Sequence, residues 1–242
     1  MLRMRTIATL LALGFALSAQ TRTWAQSQPT PTALPSGFSV KADTVYLEEE
    51  WQLSIPDPDP INDGPQIKTY MSLVQDTSES YLWFMLNLRD KPGPFSPGGM
   101  QIQRWDYSEA LLDSSAYDYR EMWINNEVVT WRQRMTRPNA ANNVCTFEIC
   151  NGSSFTWGYF GTRYSGTDAS YQPGPGKIRF TPRACMDFSQ YNPLISVQMS
   201  RVSWEPNRVA YLRLLAVRQY DGSRNLLDLW TPTTNLDVDL TK

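Results

Sequence analysis

Histidine is missing from all 242 residues. That single absence excludes Ser-His-Asp and Cys-His nucleophilic systems, His-ligated zinc and imidazole general bases. Cysteine is scarce, at three, too few for a four-sulfur zinc site. Beyond the N-terminus no segment approaches the roughly 18 uninterrupted apolar residues of a spanning helix, so no membrane span is expected. No fixed-period repeat occurs either, which disfavours propellers and solenoids.

The chain opens MLRMRTIATLLALGFALSAQTRTWAQS, with Arg3 and Arg5 ahead of an apolar run from Ile7 to Ala19 and small residues after it. This is the pattern of a secretory signal peptide. Cleavage is expected after Ala25, with Ala19 the alternative, and export implies a periplasmic or extracellular protein. Residues 26–37 read as a flexible, Pro-rich leader and 38–242 as one domain, a size usual for an all-β sandwich. Loss of residues 1–25 removes three basic and no acidic residues, leaving 19 against 24 and a net charge of −5. Such a surface argues against nucleic acid as a partner.

In an exported chain, three cysteines suggest one disulfide and one thiol. Cys145 and Cys150 share the run VCTFEIC. Five residues of strand separate their Cα atoms by roughly 16 Å, against the about 7 Å a disulfide tolerates. One of them is then expected to pair with Cys185. Cys145, on the same face as Phe147 and Ile149, is preferred, and three separate thiols are the alternative.

Eleven strand-like runs follow one another, among them FSVKADTVYL, WQLSI, IKTYMSLVQ, SYLWFMLNL, MQIQRWDY, EVVTWRQRM, VCTFEIC, PLISVQMSRVSW and RVAYLRLLAVRQY. Many of the 17 prolines cluster between them. The pattern predicts an antiparallel all-β sandwich of two sheets with no substantial helix beyond the signal peptide, and a turn or loop over Ser108 to Tyr119. A sandwich of this many strands is most often a jelly roll.

The phrases GPQIKTYMS, GGMQIQRWD, SSFTWGYFG and VSWEPNRVAYLRLLAVRQY resemble stretches of secreted bacterial proteins of the concanavalin A-like jelly-roll group. That group includes lectins, glycoside hydrolases and alginate-type lyases. The resemblance implies a fold more than an activity. The laminarinase-like Glu-x-Asp-x-x-Glu strand has no match, and the acidic residues of LEEEW and EMWINNE are expected to be solvated strand edges. Where alginate-type lyases carry Gln-Ile-His, this chain reads Gln101-Ile102-Gln103, so Gln103 replaces the imidazole. Their Arg-x-Glu-x-Arg strand has no match beyond Arg132 and Arg134 in WRQRM, and Tyr159 is the nearest counterpart of their Tyr. A lyase-like enzyme is therefore an alternative and no catalytic residue is assigned. In IPDPDPINDG, Asp57, Asp59 and Asp63 are candidate Ca²⁺ ligands, oxygen donors at high density, although the spacing is not that of an EF-hand. No other cofactor is expected.

The run PGGMQIQRWDY alternates. As a strand, it turns Met100 and Ile102 to one side and Gln101, Gln103 and Trp105 to the other. Aromatic planes beside amides suit the C–H faces and hydroxyls of sugars. Gln101, Gln103, Trp105, Trp131, Gln133, Arg134 and Tyr159 are the candidate ligand-binding residues, expected on one exposed sheet face. The leading expectation is a non-catalytic carbohydrate-binding, lectin-like protein with a polysaccharide or glycan partner. A structural or adhesive envelope protein is the third reading. Ligand identity and oligomeric state are not encoded in any motif.

Overall fold

The computed structural model describes residues 33–58, 64–71, 81–87, 99–105, 110–114, 126–136, 144–165, 168–171, 176–180 and 188–242. Its longest strands carry the alternation that a one-sided core demands. In β1 (Tyr46–Ile55), Leu47, Trp51, Leu53 and Ile55 are wholly buried against the opposite sheet, with Glu49 among them. The runs FSVKADTVYL and WQLSI thus meet within one strand, and residues before Tyr46 form turns. There follow β2 (Gln66–Met71), β3 (Tyr81–Asn87), β4 (Gly99–Trp105), β5 (Leu111–Ser114), β6 (Glu127–Thr136) and β7 (Cys145–Ser154). Then come β8 (Gly158–Phe160), β9 (Thr162–Ser165), β10 (Asp168–Tyr171) and β11 (Lys177–Phe180). The C-terminal part holds helix α1 (Pro193–Met199), β12 (Arg201–Val202), β13 (Tyr211–Tyr220), β14 (Leu226–Trp230) and β15 (Leu236–Asp237).

These make two antiparallel sheets. The larger runs β10-β9-β7-β6-β1-β13-β14, with β8 and β11 paired to β7 and β15 to β13. One parallel bridge, Cys150 to Thr162, joins β7 to β9. The smaller runs β12-β2-β3-β4-β5. Ile67 and Met71 of β2, Leu82, Phe84 and Leu86 of β3, and Met100 and Ile102 of β4 enter the same core as Val129, Trp131 and Met135 of β6. The Phe84 and Trp131 rings meet edge to face across the interface, 5.5 Å between centroids. The expected all-β two-sheet sandwich is what forms.

Two expectations are corrected. PLISVQM is helical, not a strand: Asn192 caps it, its side-chain oxygen accepting from Leu194 N–H at 3.0 Å, and Pro193 opens it with φ already set for a helix. Within Ser108 to Tyr119, Leu111–Ser114 is an edge strand rather than loop. Cys145 lies in the core beside Phe147 and Ile149, whereas Cys185 lies outside the described residues, and with it the expected pairing. No helix among the described residues is long and apolar enough to cross a membrane.

Candidate ligand-binding face

Antiparallel register aligns residues of β12, β2, β3, β4 and β5 in rows on the side of the smaller sheet that faces away from the sandwich core. Arg201 of β12 lies opposite Lys68 of β2, Lys68 opposite Met85 of β3, and Met85 opposite Gln101 of β4. In the next row, Tyr70, Trp83, Gln103 and Ser114 are aligned. Each row is spaced at the roughly 4.8 Å of neighbouring strands. Gln101 and Gln103 point away from the core because Met100 and Ile102 point into it, as the alternation predicts.

Hydrogen bonding gives the amides a direction. The Trp105 indole N–H donates to Gln103 Oε1 at 2.9 Å, and Gln103 Nε2 donates to Gln101 Oε1 at 2.8 Å. Both acceptor oxygens are engaged, while no described residue accepts from Gln101 Nε2. Gln101 and Gln103 are themselves buried, at 4% and 5% exposure, which corrects the expectation of an exposed amide face. The relay ends in a donor.

Cations complete the face. Lys68 Nζ lies 4.8 Å from the centroid of the Trp83 ring, and Arg201 Cζ lies 4.6 Å from it. Burial and the neighbouring Arg201 charge push the Lys68 ammonium down to about 7. Among the described residues no carboxylate pairs with Lys68. Tyr70, Trp83 and Ile195 of α1 form a second buried cluster, with Trp105 and Met199 packed against it, so this part of the face is covered.

The other candidates lie elsewhere, so the seven do not share one face. Trp131 and Gln133 face the interior of the sandwich, because they stand in the alternation Val129, Trp131, Gln133, Met135. Gln133 ties the sheets together: its Oε1 accepts from Thr69 Oγ1 at 3.1 Å, and its Nε2 donates to the Tyr70 carbonyl at 2.9 Å and to Glu49 at 2.5 Å. Arg134 is on the outer face of the larger sheet. Tyr159 is half exposed on the β8 hairpin under Arg163, 4.2 Å from its ring. Asp57 is exposed and ion-paired with Arg208 at 2.8 Å; Asp59 and Asp63 lie outside the described residues.

LEEEW overturns the expectation of solvated acids most sharply. Glu48 and Glu49 are both wholly buried. On the outer face, register sets Arg218, Glu48, Arg134, Glu148 and Lys177 in one row of alternating charge across β13, β1, β6, β7 and β11. Arg134 Nε donates to Glu48 at 2.6 Å and Lys177 reaches Glu148 at 2.9 Å. The Cys150 thiol lies 3.8 Å from Glu48, and burial together with that carboxylate drives its pKa well up, which makes it unreactive. Tyr164 and Tyr220 hydroxyls donate to Glu148 and Glu48 at 2.7 and 3.3 Å. Both carboxylates of the row are answered by cations and hydroxyls, Glu48 by Arg134, Arg132 and Tyr220, and Glu148 by Lys177, Tyr164 and Thr162. No single run announces it, since its five members come from five strands.

No protein-family model matches the chain, and no curated protein matches it. Among solved structures, one similarity is to a crystal structure of scytalido-glutamic peptidase with a peptide-based transition-state analogue. It shows 7% identity and a TM-score of 0.34 over 80% of this chain and 83% of that one. The sandwich assignment rests on the two sheets themselves.

Proposed function

We propose that this protein is an exported, non-catalytic carbohydrate-binding β-sandwich whose recognition surface is the outer face of the smaller sheet. The observation that carries the reading is the relay from Trp105 through Gln103 to Gln101. It fixes two amides at the rim of the buried Tyr70–Trp83–Ile195 cluster, beside the partly exposed Trp105. Sugar hydroxyls pair with amides, and sugar C–H faces suit an indole ring. The missing histidine and the absence of the paired-carboxylate strand favour binding over cleavage. Trp131 and Gln133 have no part in this reading. Their place is the core.

Affinity electrophoresis of the mature protein through gels containing a panel of polysaccharides tests it, beside Gln103→Ala and Trp105→Ala. Retardation by one polymer, weakened at least tenfold in both variants while their melting transitions persist, is the expected result. No retardation by any polymer, or retardation that both variants retain, overturns the reading.

A further inference from the structure

Register builds a second surface on the outer side of the larger sheet, at the end of β1 away from Glu48. Val129 and Trp131 enter the core, so Val128 and Thr130 face out. One row then runs Arg213, Gln52, Thr130, Ser153 and Tyr159 across β13, β1, β6, β7 and β8. It covers four strand spacings, roughly 19 Å. Beside it Tyr211, Ser54 and Val128 are aligned, and Phe155 stands next to them, just past β7. This surface is open to solvent. Phe155 is 93% exposed, Tyr159 53% and Val128 46%, and the other members of both rows are half-buried.

Its rings are held in place. The Glu127 carboxylate accepts from the backbone N–H groups of Phe155 and of Thr156, the latter at 3.1 Å, and from Ser154 Oγ at 3.0 Å, which fixes the turn that projects Phe155. The Arg213 guanidinium lies 3.5 Å from the centre of the Tyr211 ring and pairs with Asp237 at 3.0 Å, while Arg163 braces Tyr159. Rings so braced lose little freedom on binding.

The groups between the rings select the ligand. Gln52, Ser54, Thr130 and Ser153 each offer a donor and an acceptor, and none of the described residues bonds to their side-chain polar atoms. A neutral sugar hydroxyl needs both kinds of partner. Charge is answered locally, Arg213 by Asp237 and Glu127 by the turn it closes. A peptide cannot add as a strand on this face, because β1 and β6 are paired along both edges.

Resting on the carbohydrate-binding reading for its class of ligand, we infer that this face is a second site, which takes a neutral oligosaccharide segment lying across the strands. Gln52, Thr130 and Ser153 meet its hydroxyls, and Phe155, Tyr159 and Tyr211 meet its C–H faces. It is the weaker of the two sites, since water competes for half-exposed hydroxyls.

Trp105→Ala, which removes the indole of the smaller-sheet site, is the background for the test. Titration calorimetry follows cellotetraose, maltotetraose, chitotetraose and mannotetraose, with tetragalacturonate as the charged comparison. Trp105→Ala is expected to bind at least one neutral tetrasaccharide. Adding Phe155→Ser or Thr130→Val is expected to weaken that binding at least fivefold, with melting transitions kept because neither side chain is buried. Adding Leu226→Ser, exposed at the opposite end of β13, is expected to change it less than about twofold. Three outcomes overturn this inference and leave the carbohydrate-binding reading standing: no binding by Trp105→Ala where wild type is retarded in polymer gels, undiminished binding after both Phe155→Ser and Thr130→Val, or binding of tetragalacturonate alone. A wild-type dimer in sedimentation that Phe155→Ser dissociates gives the face to a second copy of the chain and also overturns it. Absence of both gel retardation and titration heat overturns the two together.

Discussion

Glu48 and Glu49 are neighbours in the chain, both wholly buried, and they look out of opposite faces of β1: Glu48 toward Arg134, Glu49 toward Gln133. Removing a carboxylate from water costs several kcal/mol, and the two sites offset that cost differently. Glu48 is met by charge, from Arg134 and Arg132. Glu49 is met by neutral donors: Trp51 Nε1 at 3.0 Å, Gln133 Nε2 at 2.5 Å, the Tyr191 hydroxyl at 2.6 Å and the Ser196 side chain. One strand thereby anchors the outer charge row and the inner link to α1.

Breaking the outer pair on one side leaves the partner buried without its counter-ion. Arg134→Met is expected to cost about 3–5 kcal/mol, and Glu48→Gln a similar amount, because Arg134 is then unpaired. The double variant Glu48→Gln/Arg134→Met is expected to be more stable than either single one. Urea unfolding of the four proteins measures the coupling. Additive losses would mean that Arg134 contributes mainly through packing against Tyr164, whose ring lies 3.8 Å from its guanidinium.

Burial raises the Glu49 carboxyl above the ordinary range, and its four hydrogen bonds pull it partly back. The sign follows from proton counts. Between the unfolded and native values the native state holds more proton, so stability falls as pH rises through that window. The facing titratable group, Tyr191, is itself pushed well up by burial and by Glu49 and does not charge there. Glu49→Gln removes the titration and turns an amide NH₂ toward one pair of donors. It is expected to cost about 2–4 kcal/mol, with the difference from wild type narrowing as pH rises. A difference that widens with pH would show the carboxylate to be preferred in its charged form.

Which side chains share a strand face was legible in the sequence; which sheet, and which side of it, was not. Met100 and Ile102 inward, Gln101 and Gln103 outward, follow from period two alone. Gln133 has the same period, but its strand lies in the other sheet, and its outward neighbours are Arg132 and Arg134 rather than itself. The flanking Val129, Trp131 and Met135 were the available signal that this amide is interior. Lys68 and Arg201 were missed because β12 joins β2 from 133 residues further on, Arg201 opposite Lys68. The α1 helix was read as a strand since PLISVQM alternates apolar and polar, although Asn192 and Pro193 are an N-terminal signature.

Gly161 is where the chain leaves β8 and enters β9 against β7. Its φ is +76°, and a Cβ there would lie 2.5 Å from the Ile149 carbonyl oxygen, a backbone atom that cannot rotate aside. Gly161→Ala is expected to destabilise by about 2–4 kcal/mol. The damage should reach the charge row, because Thr162 and Tyr164 of β9 hold Glu148. Hydrogen exchange should rise in β9 before β2 or β3. Uniform exchange throughout would place β9 in the same cooperative unit as the smaller sheet.

Lys68 weakens the fold wherever it is charged. Its native value, about 7, lies below the ordinary lysine value because of burial and Arg201. The unfolded chain therefore binds more proton above pH 7, and stability rises with pH from about 7 toward the ordinary lysine range. The penalty is fully present below pH 7. Lys68→Met removes it. Discounted for partial exposure, the gain at pH 6 is expected to be about 1–3 kcal/mol, shrinking by pH 9.5. Urea unfolding at the two pH values reads the difference. An equal gain at both would mean that Lys68→Met acts through packing of the side-chain stem rather than through the charge.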